Sequence, residues 1–198
     1  MLIRHNGNTP EIDPDAWVAP SAVVYGDVKI GPGCRVMYGA QIIAESGSIT
    51  IGNECIIMEN AVLRSMEHHP LSIGNNCLIG PTAHVAGCTV EDEVFIATGA
   101  SVFHSSRLGK GSEVRINGVV HLKTHLPEGE TVPIGWVAVG DPVQLFPSEQ
   151  HDEIWEVQKP LNFPLEVYGL DRSEASMKNI TRKLSEKLGT HRDTDVVS

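Results

Sequence analysis

The stretch LIGPTAHVAGC, Leu78 to Cys88, carries one histidine, and His84 raises the question of chemistry. An imidazole is the side chain whose ordinary pKa lets it give or take a proton near neutrality. Arg64, at the end of ENAVLR, offers a guanidinium whose planar fork matches carboxylates. Three residues on, EHH supplies Glu67, His68 and His69, able to act as a general base, to gate a ligand, or simply to line a solvated loop. Glu45 and Glu59 are acids that could hold Arg64 or pair with it across a subunit contact. The candidate catalytic set is therefore Arg64, His84, Glu59 and Glu45, and the candidate ligand contacts are Arg64, His68 and His69. His84 itself stays open between a surface hydrogen bond, a ligand contact and a metal ligand. Adjacent histidines in a strand-like loop point apart, which argues against a shared metal at His68 and His69.

These residues sit on a repeat of six. From Val18 the chain reads VAPSAV, VYGDVK, IGPGCR, VMYGAQ, IIAESG, then IGNECI and IMENAV. After a longer insertion come IGNNCL, IGPTAH and VAGCT, followed by VEDEVF, IATGAS, VFHSSR, LGKGSE and VRINGV. The first position is always aliphatic and the fifth is nearly always small or Val. Such a period predicts short strands joined by tight turns, three to a triangular coil, with coils stacked through parallel ladders. First positions fill the prism and fifth positions occupy cramped corners, which accounts for Cys34, Cys55 and Cys77 as packing. The expected fold class is an all-β solenoid with C-terminal α-helices; the hexapeptide period resembles that of the left-handed parallel β-helix proteins, and that resemblance, not the period, implies the left hand. The repeat fades after residue 120, and HLPEGETVPIGWVAVGDP reads as closing strands. The β-helix unit is placed at 1–147, a helical segment at 148–189 and a flexible tail at 190–198. Ser148 is the expected cap of the first helix, and Met177, Ile180, Leu184 and Leu188 the apolar face of a later one.

Alternation along the strands turns Gln41, Ile43, Val62, Arg64, His84, Ala86, Phe103 and His121 outward on one side, with rungs about 4.8 Å apart. His84 and Ala86 then lie on one surface about 7 Å apart. An apolar strip with a few charged anchors suits a subunit contact, with Gln41, Ile43, Phe103 and His121 as its interface residues.

Composition excludes several classes. A net charge of −10 gives no electrostatic footprint for nucleic acid or an anionic membrane. No apolar run reaches the roughly 20 residues of a membrane span, and MLIRHNGNTP lacks a signal-like apolar core. Four cysteines without a CxxC pair fit a reducing cytoplasm.

At VYGDVKIGPGCRVMYGA, SITIG and AGCTVEDEVFIATGASV the chain resembles the γ-class carbonic anhydrases, over roughly residues 12 to 142. The resemblance implies a homotrimer with a metal between subunits, held by three histidines, whose bound hydroxide attacks carbon dioxide. Position by position, the histidine ending NxVxH falls on Arg64, that of IGHxA on Pro81, and that of HGC on Ala86. The family's LRGD becomes IIAE, with Ile43 and Glu45, and its IQDN becomes IMEN, with Met58 and Glu59. The resemblance so carried over implies no zinc and no other resident cofactor. Three functions compete: a metal-free relative whose cleft holds a small anionic or carbonyl-bearing ligand through Arg64 and His84; an acyltransferase using acyl-CoA, with a histidine as base; and a trimeric scaffold without turnover.

Overall fold

The computed structural model describes residues 1–189 and 194–197. Strands of two to four residues repeat along the chain and pair with the strand three places later, in parallel and in register. Three faces result, one ten-stranded and two seven-stranded. The molecule is a left-handed parallel β-solenoid of about eight turns.

The hexad explains its construction. First-position side chains such as Ile42, Ile57, Leu63, Ile79 and Ile96 are wholly buried and stack up the axis. Fifth positions are buried too, from Ala22 and Cys34 to Ser106 and Ser112. The residue before most corners adopts a left-handed backbone, supplied by Asn60, Asn76, Thr82, Glu93, Ser105 and Asn117 as well as by glycines. All four cysteines are free and buried. The stacked thiols of Cys34, Cys55 and Cys77 donate to backbone carbonyls of the next coil, Gly52, Gly74 and Glu91, at 3.0–3.1 Å.

The repeat does not fade at residue 120. VHLKTH, LPEGET and VPIGWV form one more coil, with Val120, Leu126, Val132 and Ala138 continuing the buried column. Their fifth positions, Thr124, Glu130 and Trp136, are large or polar, which hides the period in the sequence. The ten-stranded face is closed at one edge by Gln144–Pro147, antiparallel to Trp136–Val139. At the other edge Asp195–Val197 pairs antiparallel with Leu2–Arg4. Those residues of the expected flexible tail are thus an edge strand, because a free ladder edge offers them backbone partners. Residues 190–193 and 198 of that tail lie outside the described residues.

Both insertions leave the ten-stranded face at the same corner, after Gln41–Ala44 and after Val62–Ser65. The second closes as a short hairpin, with Met66 bridged to His69. The helical segment has three α-helices: α1 (His151–Gln158), α2 (Phe163–Tyr168) and α3 (Met177–Leu188). Ser148 does not cap α1; its N-cap is Gln150, without a side-chain bond. Ser176 caps α3 by accepting from Asn179. On α3 only Ile180 is buried, whereas Met177 and Leu188 of the expected apolar face stay exposed.

Because the interior is filled coil by coil, shortening an axis residue and enlarging a corner residue should both destabilise. Ile57→Ala should cost about 2–5 kcal/mol by leaving a cavity, and Ala61→Leu about 1–3 kcal/mol by overpacking. Urea unfolding of both variants against wild type reads these losses; an unchanged midpoint for either contradicts the packing described.

Candidate functional site

Two outward columns run up the ten-stranded face beside the insertion corner. Tyr25, Ile43, Arg64 and Ala86 are in register in one. Gln41, Val62, His84 and Ser101 form the other. Arg64 therefore faces Ala86 across the ladder, and His84 stands one rung on in the neighbouring column.

Arg64 is anchored by one ion pair, Nη2 to Glu45 Oε2 at 3.1 Å. Glu45 is 4% exposed and the Arg64 side chain 38% exposed, so the carboxylate is embedded and the guanidinium reaches the surface. Beneath them the His5 ring stacks on Tyr25 at 4.5 Å, and His5 Nε2 lies 3.0 Å from the Glu45 carbonyl. Burial, and then the charge of Glu45, push the Tyr25 phenol up to about 12. Glu59 sits in the preceding corner, where its carbonyl accepts from Thr82 N. Among the described residues Arg64 makes no ion pair with it.

The far end of the strip is closed from within the chain. Phe163, the first residue of α2, lies 6.3 Å from both Phe103 and His121, and Phe103 lies 6.3 Å from His84. Phe103 and His121, expected at an open interface, are half-buried under this helix instead. Ala86, expected beside an open pocket, is 1% exposed. The run PLNFPLEV, an apolar segment between two prolines, was the available signal.

Three contacts on Glu166 hold α2 down. Its carboxylate takes Lys123 Nζ at 2.5 Å and Ser105 Oγ at 2.9 Å, and its carbonyl lies 3.0 Å from His69 Nε2. Burial alone would raise the Glu166 carboxyl, but the bonds from Lys123 and Ser105 outweigh it and hold the group below its ordinary value. His68 and His69 point apart: His68 is exposed, whereas His69 turns in to Ser105 and α2. Gly87 makes room for this, since a Cβ there would lie 2.5 Å from that of His69 and 2.9 Å from the His104 ring.

His104 is the residue that sequence reasoning missed. It is buried, 5.1 Å from His69 between ring centroids, and its Nδ1 has no hydrogen-bond partner among the described residues. Burial, reinforced by the nearness of His69, His84 and Arg64 and opposed by the charge of Glu166, pushes it down to about 4. His84 is lowered by burial and by Arg64, and His121 by burial. The strip thus sets imidazoles of lowered pKa beside Arg64, whose charge is paired with Glu45.

A second outward row was not anticipated. Trp17, Arg35, Ile56, Leu78, Phe95 and Glu113 are in register up one seven-stranded face. Trp17 and Leu78 are 41% and 38% exposed, and Tyr38 packs edge-on against Trp17. Among the described residues no helix is long and apolar enough to cross a membrane.

No family model matches the chain. It is 37% identical over 127 residues to gamma carbonic anhydrase 1, mitochondrial, of Arabidopsis thaliana, covering 61% of this chain and 46% of that protein. A carbonic anhydrase of Geobacillus kaustophilus is 25% identical over 111 residues, 56% of this chain and 61% of the relative. The chain spans about half the length of the plant relatives it matches. The crystal structure of a hexapeptide transferase family protein from Anaplasma phagocytophilum overlays with a TM-score of 0.53 at 21% identity, covering 95% of this chain and 96% of that one. Repeat, fold and relatives agree that the chain is a hexapeptide-repeat protein similar in sequence to the γ carbonic anhydrases.

Proposed function

We propose that this protein is a zinc-free relative of the γ carbonic anhydrases, in which the surface around Arg64 binds a small carboxylate or bicarbonate-like anion. The observation that carries the reading is the Arg64 side chain, 38% exposed and tied to Glu45 by a single bond. A guanidinium has five N–H donors, so a carboxylate can be gripped while Glu45 keeps the side chain in place. His84, neutral and one rung away, gives the bound anion a proton acceptor.

The residues at the family's metal positions do not fit zinc. Zinc takes imidazole, thiolate or carboxylate. Arg64 stays protonated, Pro81 has no side-chain donor and Ala86 presents a methyl group. Among the described residues no group of three or more His, Cys, Asp or Glu side chains could hold a metal ion. A homotrimer remains the proposed assembly. Its support is the family likeness together with two unlike apolar surfaces: the open end of the strip at Gln41, Ile43 and Val62, and the row at Trp17, Ile56 and Leu78. Two different patches on one subunit close a ring of three when each copy sets one against the other.

Two outcomes test the reading. Protein purified without chelator should carry far less than one zinc, iron or cobalt per subunit and hydrate carbon dioxide only at background; near-stoichiometric metal that survives dialysis contradicts it. A thermal-shift screen of acetate, bicarbonate and acetyl-CoA should find a small anion that stabilises the wild type. For a Kd of about 1 mM, a concentration of about 10 mM adds about 1.4 kcal/mol, or about 3–6 °C. The shift should vanish in Arg64→Ala/Glu45→Gln, which removes the cation without stranding a buried carboxylate. That variant should still scatter light as a trimer of about 64 kDa, three times the 21.4 kDa chain. Equal shifts in both proteins, or loss of the trimer in the variant, would make Arg64 structural.

A further inference from the structure

Away from Arg64, at the outer side of the same corner, Ser105 and His69 make a contact that the anion site does not use. Ser105 Oγ lies 3.1 Å from His69 Nδ1. The opposite ring nitrogen, Nε2, lies 3.0 Å from the Glu166 carbonyl, which can only accept. Nε2 therefore carries a proton, and in the neutral ring Nδ1 is left with its lone pair facing Ser105 Oγ. A nucleophile next to a base, with the base oriented by a third group, is the arrangement that activates serine. At rest the one hydroxyl proton is donated to Glu166 Oε1 at 2.9 Å; rotation about the Cβ–Oγ bond turns it to Nδ1, and the Glu166 carboxylate then lies beside the imidazolium that forms. Ser105 is exposed, on a turn with φ of +60°, and opens on a cavity of about 210 Å³ shared with His68, His69, Thr89 and Arg107. Left-handed turn residues recur at every level of the solenoid, so the conformation supplies exposure and not the chemistry.

We infer that Ser105 and His69 form a nucleophilic dyad that cleaves esters of small acyl groups. Oγ attacks the acyl carbonyl and forms a new C–O bond while Nδ1 takes the hydroxyl proton. The bond to the leaving alkoxide breaks, and the alkoxide departs with that proton from His69. Water, deprotonated by Nδ1, then attacks the acyl-serine, and the carboxylic acid and free Ser105 are regenerated. The cavity, about 210 Å³ and open to solvent, has room for an acyl group of a few carbons, and Arg107 at its wall is paired with Glu91.

A fluorophosphonate probe on the full chain tests this, since Oγ–P forms as P–F breaks. We expect one adduct per chain, mapped to Ser105, together with hydrolysis of p-nitrophenyl acetate. Ser105→Gly, which suits the positive φ, should abolish both. His69→Gln should slow labelling by about 10²-fold or more, the usual weight of a general base. Absence of an adduct at Ser105 in folded wild-type protein would overturn the inference, as would labelling at the same rate in a folded His69→Gln variant.

Discussion

Everything in this structure hangs on the parallel ladder that stacks one coil on the next. A rung spacing of about 4.8 Å leaves room for one inward aliphatic and one small corner residue per side. Ile57, Leu63 and Ile79 satisfy the first requirement, and Ala61, Cys77 and Ala83 the second. Since the inward positions are so constrained, chemistry is confined to outward positions and to the corners, where turns can be lengthened. Both insertions use the same corner, and Arg64, Glu45, His69, His104 and Ser105 all gather there.

The second determining feature is the short helix α2. Phe163 removes Phe103 and His121 from solvent, while Glu166 ties the helix to Lys123, Ser105 and His69. Desolvation then controls the electrostatics beneath it. Histidines that would share protons with water are held neutral, and Arg64 stands as the cation among them. A histidine whose folded pKa is depressed contributes stability above its unfolded value and loses it as pH falls through the folded one. For His104 that interval runs from about 6.5 down to about 4, so mild acid should loosen this corner before it affects the prism.

Much of this was legible in the sequence because the solenoid is a local code. Every hexad states its own inward residues, and the outward columns follow by counting. The pairing of Arg64 with Glu45 and the divergence of His68 and His69 could be read that way. What could not be read is what folds back onto the prism. The covering of Phe103 and His121 by Phe163, the inward turn of His104 and the edge strand at Asp195–Val197 are contacts between distant segments, and no period encodes them. The last coil escaped for a different reason: Thr124, Glu130 and Trp136 break the corner rule while Val120, Leu126 and Val132 keep the axis rule.

The central claim is that a desolvated corner keeps its histidines neutral and leaves Arg64 to attract an anion. Site-resolved NMR titration of the histidine rings tests it most directly. The account predicts that His104 titrates near 4 and that His84 and His121 titrate below the ordinary histidine value of about 6.5. A His104 ring that protonates at about 6.5 in the folded protein would mean that water reaches this corner freely, and the account would be wrong.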